Sequence, residues 1–289
     1  REAVRFGPLI EGNLLDADAL ARAFEQARPD AVMHFAALSL VGESVAKPGL
    51  YWRNNTVGTL NLLEAMRQAG VDALVFSSTA ATYGEVAADL ITESAPQTPT
   101  NPYGATKLAV EQMIADFGHA HGMRAVIFRY FNVAGADPAG RVGEWHGPET
   151  HLVPLVLDAA SGRRDAITVF GTDYPTADGT CIRDYLHVED LVAAHLLGME
   201  RLLAGGDSLT ANLGTGRGFS VREVIDCART ATGLTIPVRE GDRRPGDPAR
   251  LVCDGRRAMA ELGWRPTRSD MASMIIDAWG WHQRGGYTR

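Results

Sequence analysis

The sequence is poor in cysteine. Three occur in 289 residues, Cys181, Cys227 and Cys253, and their spacing suits no metal. An odd, sparse set of thiols fits reduced cysteines in a cytosol and argues against a disulfide scaffold. A surplus of positive charge is missing too. Lys and Arg number 28 against 35 Asp and Glu, a net charge of -7 with both signs interspersed. A surface for nucleic acid is therefore not expected. No apolar run approaches a membrane span and no signal-peptide pattern opens the chain, so no membrane partner is expected. Internal repeats, coiled-coil heptads and low-complexity tracts are lacking. What remains is an ordinary globular mixture, 45% hydrophobic and 22% charged, long enough for one large domain or two small ones.

Strand-like and helix-like runs alternate through the first half. Ala3–Ile10 reads as a strand that follows Arg1-Glu2 at once, and this start leads us to expect a longer native protein. Asp16–Ala27 reads as a helix, Ala31–Phe35 as a short strand, Leu50–Ala69 as a long helix ending at Gly70, and Ala73–Ser77 as a strand. Tyr103–His121 reads as a helix ending at Gly122, and Arg124–Phe131 as a further strand. Such alternation implies βαβ units, a parallel sheet and right-handed crossovers. Ligands of such sheets lie beyond the carboxyl ends of the strands. The second half is less regular. Pro- and Gly-rich loops cover Gly135–Pro148 and Gly171–Gly179, and helices follow at Leu152–Ser161 and Val188–Leu203. Ser220-Val221-Arg222-Glu223 is a capping box, Ile236–Glu240 a strand and Asp270–Gln283 a last helix.

Asn101-Pro102-Tyr103-Gly104-Ala105-Thr106-Lys107 is the most informative stretch. Asn suits an N-cap and Pro the first helical position, so Tyr103 opens a helix. Residues four apart share a helix face, which brings Lys107 near the Tyr103 ring. A nearby cation and the positive helix end favour phenolate, and Tyr103 becomes a general base for a hydroxyl proton. Alone, the pair reads better as a partly buried aromatic beside a solvated lysine. Its company reverses that preference.

Phe76–Gly84 ends a strand in hydroxyl residues, and Thr79 lies at the sheet edge that Tyr103 should reach. A hydroxyl there can bond a substrate oxygen, although a local turn would use it equally well. His34-Phe35-Ala36-Ala37 is a strand end whose small residues admit a nucleotide or merely fill a loop. Asn54-Asn55 suggests N-capping by one of the two. Arg183 offers a planar fork to a diphosphate, or a salt bridge to adjacent acids. Arg243-Arg244-Pro245-Gly246-Asp247 gives a second fork and a carboxylate for a ribose hydroxyl, or a solvated loop. Gly214-Thr215-Gly216-Arg217-Gly218 lacks the spacing and the acidic partner of a dinucleotide fingerprint, and a turn before the Ser220 cap accounts for it.

In this order the pieces resemble the extended short-chain dehydrogenase/reductase superfamily and, within it, the UDP-glucose 4-epimerases. The resemblance runs from about Val4 to the last helix. It is carried by stretches such as Phe76–Gly84, Asn101–Glu111, Arg129–Gly135, Val169–Leu191 and Arg243–Asp247. It implies an α/β protein with a Rossmann-like doubly wound parallel sheet. Residues 1–134 would form the dinucleotide-binding domain, rejoined by some later elements, and 135–289 a smaller α/β substrate lobe. It further implies bound NAD and the interconversion of UDP-glucose and UDP-galactose. Sugar C4 is oxidised, the 4-keto sugar swings about its diphosphate, and its other face is reduced. Tyr103 would be the base, Lys107 would keep the phenol acidic and hold the nicotinamide ribose, and Thr79 would bond the reacting oxygen. Asn13, Leu14, Phe35, Ala36, Ala37, Leu38, Ser39, Asn55, Tyr130 and Phe131 fall at cofactor positions. Asn132, His151, Leu152, Thr168, Val169, Phe170, Arg183, Arg244, Asp247 and Leu251 fall at substrate positions, with Phe170 beside the uracil. No metal is expected. A cytoplasmic homodimer paired through helices 50–69 and 103–121 is.

The sequence departs from this pattern at its start. The family opens with a strand, a Gly-x-x-Gly-x-x-Gly turn, a helix and an acid-tipped strand, a βαβ unit of about 30 residues or more that this sequence lacks. Ala3–Ile10 is then expected to want a sheet neighbour, and the chain as given to hold NAD weakly or not at all. Asn13 stands for a usual Asp and Ser39 for a Lys. A 4,6-dehydratase would need an Asp-Glu pair where Ala80 and Ala81 stand. Other 4-epimerases, acting on UDP-glucuronate or UDP-pentoses, and an impaired fragment that only binds nucleotide sugar or a protein partner are the alternatives. Leu251, where the family can carry Tyr, suggests room for N-acetylated sugars.

Overall fold

In the computed structural model, residues 3–4, 6–86, 88–244 and 247–285 are described. Helix α1 (Ala17–Ala27) starts where the Asp16 carboxylate accepts from the Ala19 N–H at 2.9 Å. Strand β1 (Val32–His34) follows. Then come α2 (Val41–Ala46), which the sequence reading does not anticipate, and a continuous helical run. That run comprises α3 (Pro48–Tyr51), a π-helical turn over Trp52–Val57, and α4 (Gly58–Ala69), closed by Gly70 at φ 71°. The expected helix Leu50–Ala69 thus contains a wider turn holding Asn54 and Asn55, and neither residue caps a helix. Strand β2 (Ala73–Thr79) is buried throughout, as expected of a strand covered on both faces. Helix α5 (Pro102–His121) is capped by Asn101, whose side chain accepts from the Gly104 N–H at 2.9 Å, and β3 (Arg124–Tyr130) completes the first half.

The chain then passes through β4 (Asn132–Ala134), α6 (Leu152–Ala160), β5 (Ile167–Phe170), β6 (Ile182–His187) and α7 (Val188–Leu203). Strand β7 (Leu209–Leu213) returns to the first sheet, whose order is β1-β2-β3-β7, all parallel. The last elements are β8 (Gly218–Ser220), α8 (Val221–Thr232), β9 (Val238–Gly241), β10 (Arg250–Leu251), α9 (Arg256–Leu262) and α10 (Met271–Gln283). Strand β6 is flanked by β10 and β4 and also pairs antiparallel with β8, while β5 pairs with β9. The capping box at Ser220 is formed, with Ser220 Oγ accepting from the Glu223 N–H at 3.0 Å.

Side chains alternate across the main sheet. Leu74, Phe76, Ala125 and Ile127 face Leu62, Leu63, Met66, Val110 and Ile114 of α4 and α5. Ala73, Val75, Val126 and Phe128 face Leu191, Ala194 and Leu202 of α7. A separate core of Val156, Leu157, Val224, Ile225, Met274 and Ile275 holds α6, α8 and α10 together. The chain is therefore an α/β protein of Rossmann type, and a second core carries the later helices.

The expected strand Ala3–Ile10 does not form: its described residues are in no strand, and Phe6 is 92% exposed. Arg5 lies outside the described residues. Strand β1 pairs with β2 alone, so among the described residues no strand of this segment joins the sheet on its far side. Among the described residues, no helix is long and apolar enough to cross a membrane.

Candidate active site

The carboxyl ends of β2 and β3 and the N-terminus of α5 meet at one wall of a cavity of about 1570 Å³. Gly104 makes that meeting possible. A Cβ there would lie 2.3 Å from the Ala81 carbonyl oxygen, so the first turn of α5 rests directly on the short helical turn after β2. Thr79 caps this turn, its Oγ1 accepting from the Ala81 N–H at 3.2 Å. Tyr103 and Thr79 are thereby brought within hydrogen-bond reach of one another.

For Tyr103, burial works against the acidity that a nearby cation would give. Burial pushes the Tyr103 pKa up from the usual tyrosine value, and the hydrogen bond with Thr79 only partly opposes it. Lys107 is engaged elsewhere. Its ammonium donates to the Ser77 carbonyl at 2.7 Å and lies 4.7 Å from the centroid of the Phe76 ring. Burial brings its own pKa down to about 8. Both groups are thus drawn toward their neutral forms, because desolvation outweighs the charges around them.

Behind this wall lies a buried polar network. Ser78 Oγ donates to Glu111 at 2.5 Å, Glu111 pairs with Arg129 at 2.5 Å, and Arg129 donates to Tyr83 at 3.0 Å. The Tyr83 hydroxyl donates onward to Asn212 at 2.7 Å. The network ties β2, α5, β3 and β7 together. Burial opposes the Arg129 charge, but hydrogen bonds and attraction from Glu111 prevail and raise its pKa. Sequence reasoning misses Glu111, although it continues the helical row of Tyr103 and Lys107 by four more residues. Asn55, freed by the π turn, grips Leu38 at both its N–H (2.9 Å) and its carbonyl (3.0 Å) and reaches Thr106 at 3.2 Å.

Of the expected cofactor residues, Phe35, Ala37, Ser39, Thr79, Tyr103, Lys107, Tyr130 and Phe131 line the cavity. Of the expected substrate residues, Asn132, His151, Leu152, Thr168, Phe170, Arg183, Arg244 and Asp247 do. The remainder lie off the wall. Asn13 turns back to accept from the Leu15 N–H, Leu14 packs against Gly58, and Ala36 is exposed. Leu38 and Asn55 hold each other, the Val169 side chain is buried in the second core, and Leu251 is paired in register with Arg183.

Arg183 is ion-paired, but with Asp247 rather than with the acid next to it in sequence. Asp184 instead fills the Gly214–Gly218 turn, accepting from the N–H groups of Thr215 at 3.0 Å and Gly216 at 3.1 Å. That turn does cradle an anion, and the anion is the protein's own. Arg244 stacks over Phe170 at 4.1 Å. Pro245 and Gly246 of the same loop lie outside the described residues. Three residues escape the sequence reading: Glu144, His146 and Glu149 cluster with His151 on the cavity wall. Their regular alternation, Glu-x-His-x-x-Glu-x-His, was the available signal.

A model of the NAD dependent epimerase/dehydratase family matches residues 1–214. The chain belongs to that family. It is similar to a UDP-glucose 4-epimerase of Streptomyces lividans, 55% identical over 272 residues, which cover 94% of this chain and 81% of the relative. A UDP-glucose 4-epimerase from Brucella ovis, solved in complex with NAD, superposes with a TM-score of 0.95 at 48% identity, covering 97% of this chain and 86% of that one. One from Bifidobacterium longum, in complex with NAD+ and UDP, gives a TM-score of 0.90 at 38% identity, covering 98% and 85%.

For this member of the NAD dependent epimerase/dehydratase family, the buried Lys107 makes a pH prediction. Its folded pKa of about 8 lies below the ordinary lysine value of 10.5. Between those values the unfolded chain binds the extra proton, so this group's contribution to stability rises with pH and is least favourable below 8. Denaturant unfolding without nucleotide, at pH 7.5 and at pH 10, should show a smaller stability advantage for Lys107→Met at the higher pH. An advantage that does not change with pH would refute the assignment.

Proposed function

We propose that this chain interconverts UDP-glucose and UDP-galactose by inverting the configuration at sugar C4. The observation that carries the reading is the joint presence of Tyr103, Thr79 and Lys107 with Phe170, Arg183 and Arg244 around one cavity. At about 1570 Å³ it exceeds the roughly 300–1000 Å³ of ordinary small-molecule pockets. That supports two ligands side by side, with room for a sugar to turn.

The donor set fits the nicotinamide end of NAD. A buried ammonium and a phenol face the cavity, and Asn55 pins the strand-end loop at Leu38. Tyr103, Lys107, Phe35, Ala37 and Tyr130 would hold that end. These 289 residues carry no Gly-rich turn of the family's opening kind to match its pyrophosphate. When bound, NAD supplies the acceptor and donor of the C4 hydride and a positive ring that favours phenolate.

The protein's own part is proton handling and orientation. Tyr103 takes the proton of the C4 hydroxyl as that carbon becomes a ketone, then returns it when the opposite face is reduced. The Thr79 hydroxyl bonds the same oxygen in each of the two transfer steps and releases it while the sugar turns. Arg183 and Arg244 fix the diphosphate, about which the free sugar swings, and Phe170 packs beside the base. In this reading Asp247 holds the Arg183 fork in place and still has a second oxygen for a ribose hydroxyl. Ala80 and Ala81 offer no acid or base for dehydration. Incubating the protein with NAD and UDP-galactose should yield UDP-glucose, seen as a second anomeric signal by NMR. Unchanged UDP-galactose in protein that is shown to hold NAD would overturn the proposal.

Two coarser readings accompany it. The helical run from Pro48 to Ala69 exposes Trp52, Val57 and Leu60, which supports a homodimer formed through it and α5. A monomer in sedimentation velocity would exclude that arrangement. The three free thiols support a reducing compartment, the cytoplasm.

A further inference from the structure

We propose that Glu144, His146, Glu149 and His151 form a binding site for one divalent zinc-class ion on the cavity wall. The ligand atoms of all four lie within 4.8 Å of one another. His146 Nδ1 is 3.2 Å from Glu144 Oε1 and 3.5 Å from Glu149 Oε2, and His151 Nδ1 is 4.0 Å from Glu149 Oε1. A tetrahedral zinc ion with bonds of 2.0–2.2 Å holds its ligands roughly 3.3–3.6 Å apart. His146 thus stands from both carboxylates at close to the spacing such an ion imposes. Glu144 Oε1 and His151 Nδ1 are hydrogen-bonded directly to each other and must part, with loss of the shared proton, as the ion enters. The two imidazole rings stand nearly perpendicular, at 88° with centroids 4.9 Å apart, so they approach the ion from different directions.

The donor types narrow the choice of ion. Two imidazoles with two carboxylates suit zinc and its neighbours, whereas magnesium and calcium prefer oxygen alone. Charge points the same way. Two carboxylates face a cavity that must accept a phosphate-bearing ligand, and a divalent ion cancels both. The local chain also gains a constraint. The described backbone of residues 144–150 belongs to no helix or strand and is held by side chains, as where Trp281 Nε1 donates to the Glu144 carbonyl at 2.9 Å. An ion would staple this loop to the start of α6.

The test uses the full 289-residue chain and zinc as the probe. After equilibration with Zn2+ and desalting, elemental analysis should find one zinc per chain. Competition with a chromophoric chelator should show at least a tenfold weaker affinity in His146→Asn and in Glu149→Gln. Neither residue takes part in the proposed chemistry on the sugar, and circular dichroism checks that both variants fold. Cobalt gives a reading independent of any variant: Co2+ bound here should show the strong visible bands of four-coordinate geometry. Zinc should raise Tm in the parent protein and not in the variants. The proposal fails if the parent keeps no zinc, if both variants keep it as tightly, or if Co2+ shows the weak bands of six-coordination. In those cases the histidines and glutamates merely neutralise one another in pairs.

Discussion

Tyr103→Phe is expected to lower kcat for UDP-galactose and UDP-glucose interconversion by about 10²–10⁴-fold, the usual contribution of a positioned acid or base. KM should change little, because the ring keeps its place in the first turn of α5 and loses only its hydroxyl. The measurement is the initial rate in both directions with saturating NAD. A variant at full speed would remove the phenol from the chemistry and leave Thr79 without its partner. The high pKa that burial gives Tyr103 makes a second point. Burial favours the neutral phenol, and a cation placed beside it would favour ionisation. The rate should therefore be more sensitive to charge near the phenol than to bulk pH.

The second large effect concerns stability. Glu111→Leu leaves Arg129 buried, at 7% side-chain exposure, with its carboxylate partner gone. Breaking one side of a buried pair costs about 3–5 kcal/mol. At roughly 2–4 °C per kcal/mol for a domain of this order of size, Tm should fall by about 10 °C. Combining Glu111→Leu with Arg129→Met should recover most of the loss, since no charge is then stranded. Calorimetry of the two single variants and the double variant decides the matter. A single variant within 1–2 °C of the parent would show that the network is not what binds β2, α5 and β3.

Much of this was readable in the sequence, for identifiable reasons. Helix α5 carries its own punctuation, Asn101 and Pro102 before it and Gly122 after, so both ends came out within a residue. The same holds for the capping box at Ser220. Strand β2 announces itself by the apolar run Ala73–Phe76, although it continues buried through Ser77, Ser78 and Thr79. Other features depend on partners far away in the chain. Whether Ala3–Ile10 becomes a strand is decided by its neighbours, not by its own propensity. Arg183 chose Asp247 over Asp184 because the backbone amides of Thr215 and Gly216 had already claimed the nearer carboxylate. The burial of Tyr103 is hidden in the sequence for a similar reason. Local charges are visible in a sequence, while the depth at which a hydroxyl will be desolvated is not.

The wide turn at Trp52–Val57 has a consequence for how this protein can change. An α-helix advances about 100° per residue, so one additional residue in a turn rotates everything after it by that angle. Upstream of the turn, spacing serves Tyr51, whose hydroxyl donates to the Leu40 carbonyl; downstream it serves Leu62, Leu63 and Met66 in the core. The two halves keep different phase, and the turn is the splice between them. Single-residue insertions or deletions anywhere from Pro48 to Ala69 would dial one half out of alignment, while most side-chain exchanges would not. Drift in this segment should therefore alter letters and preserve length.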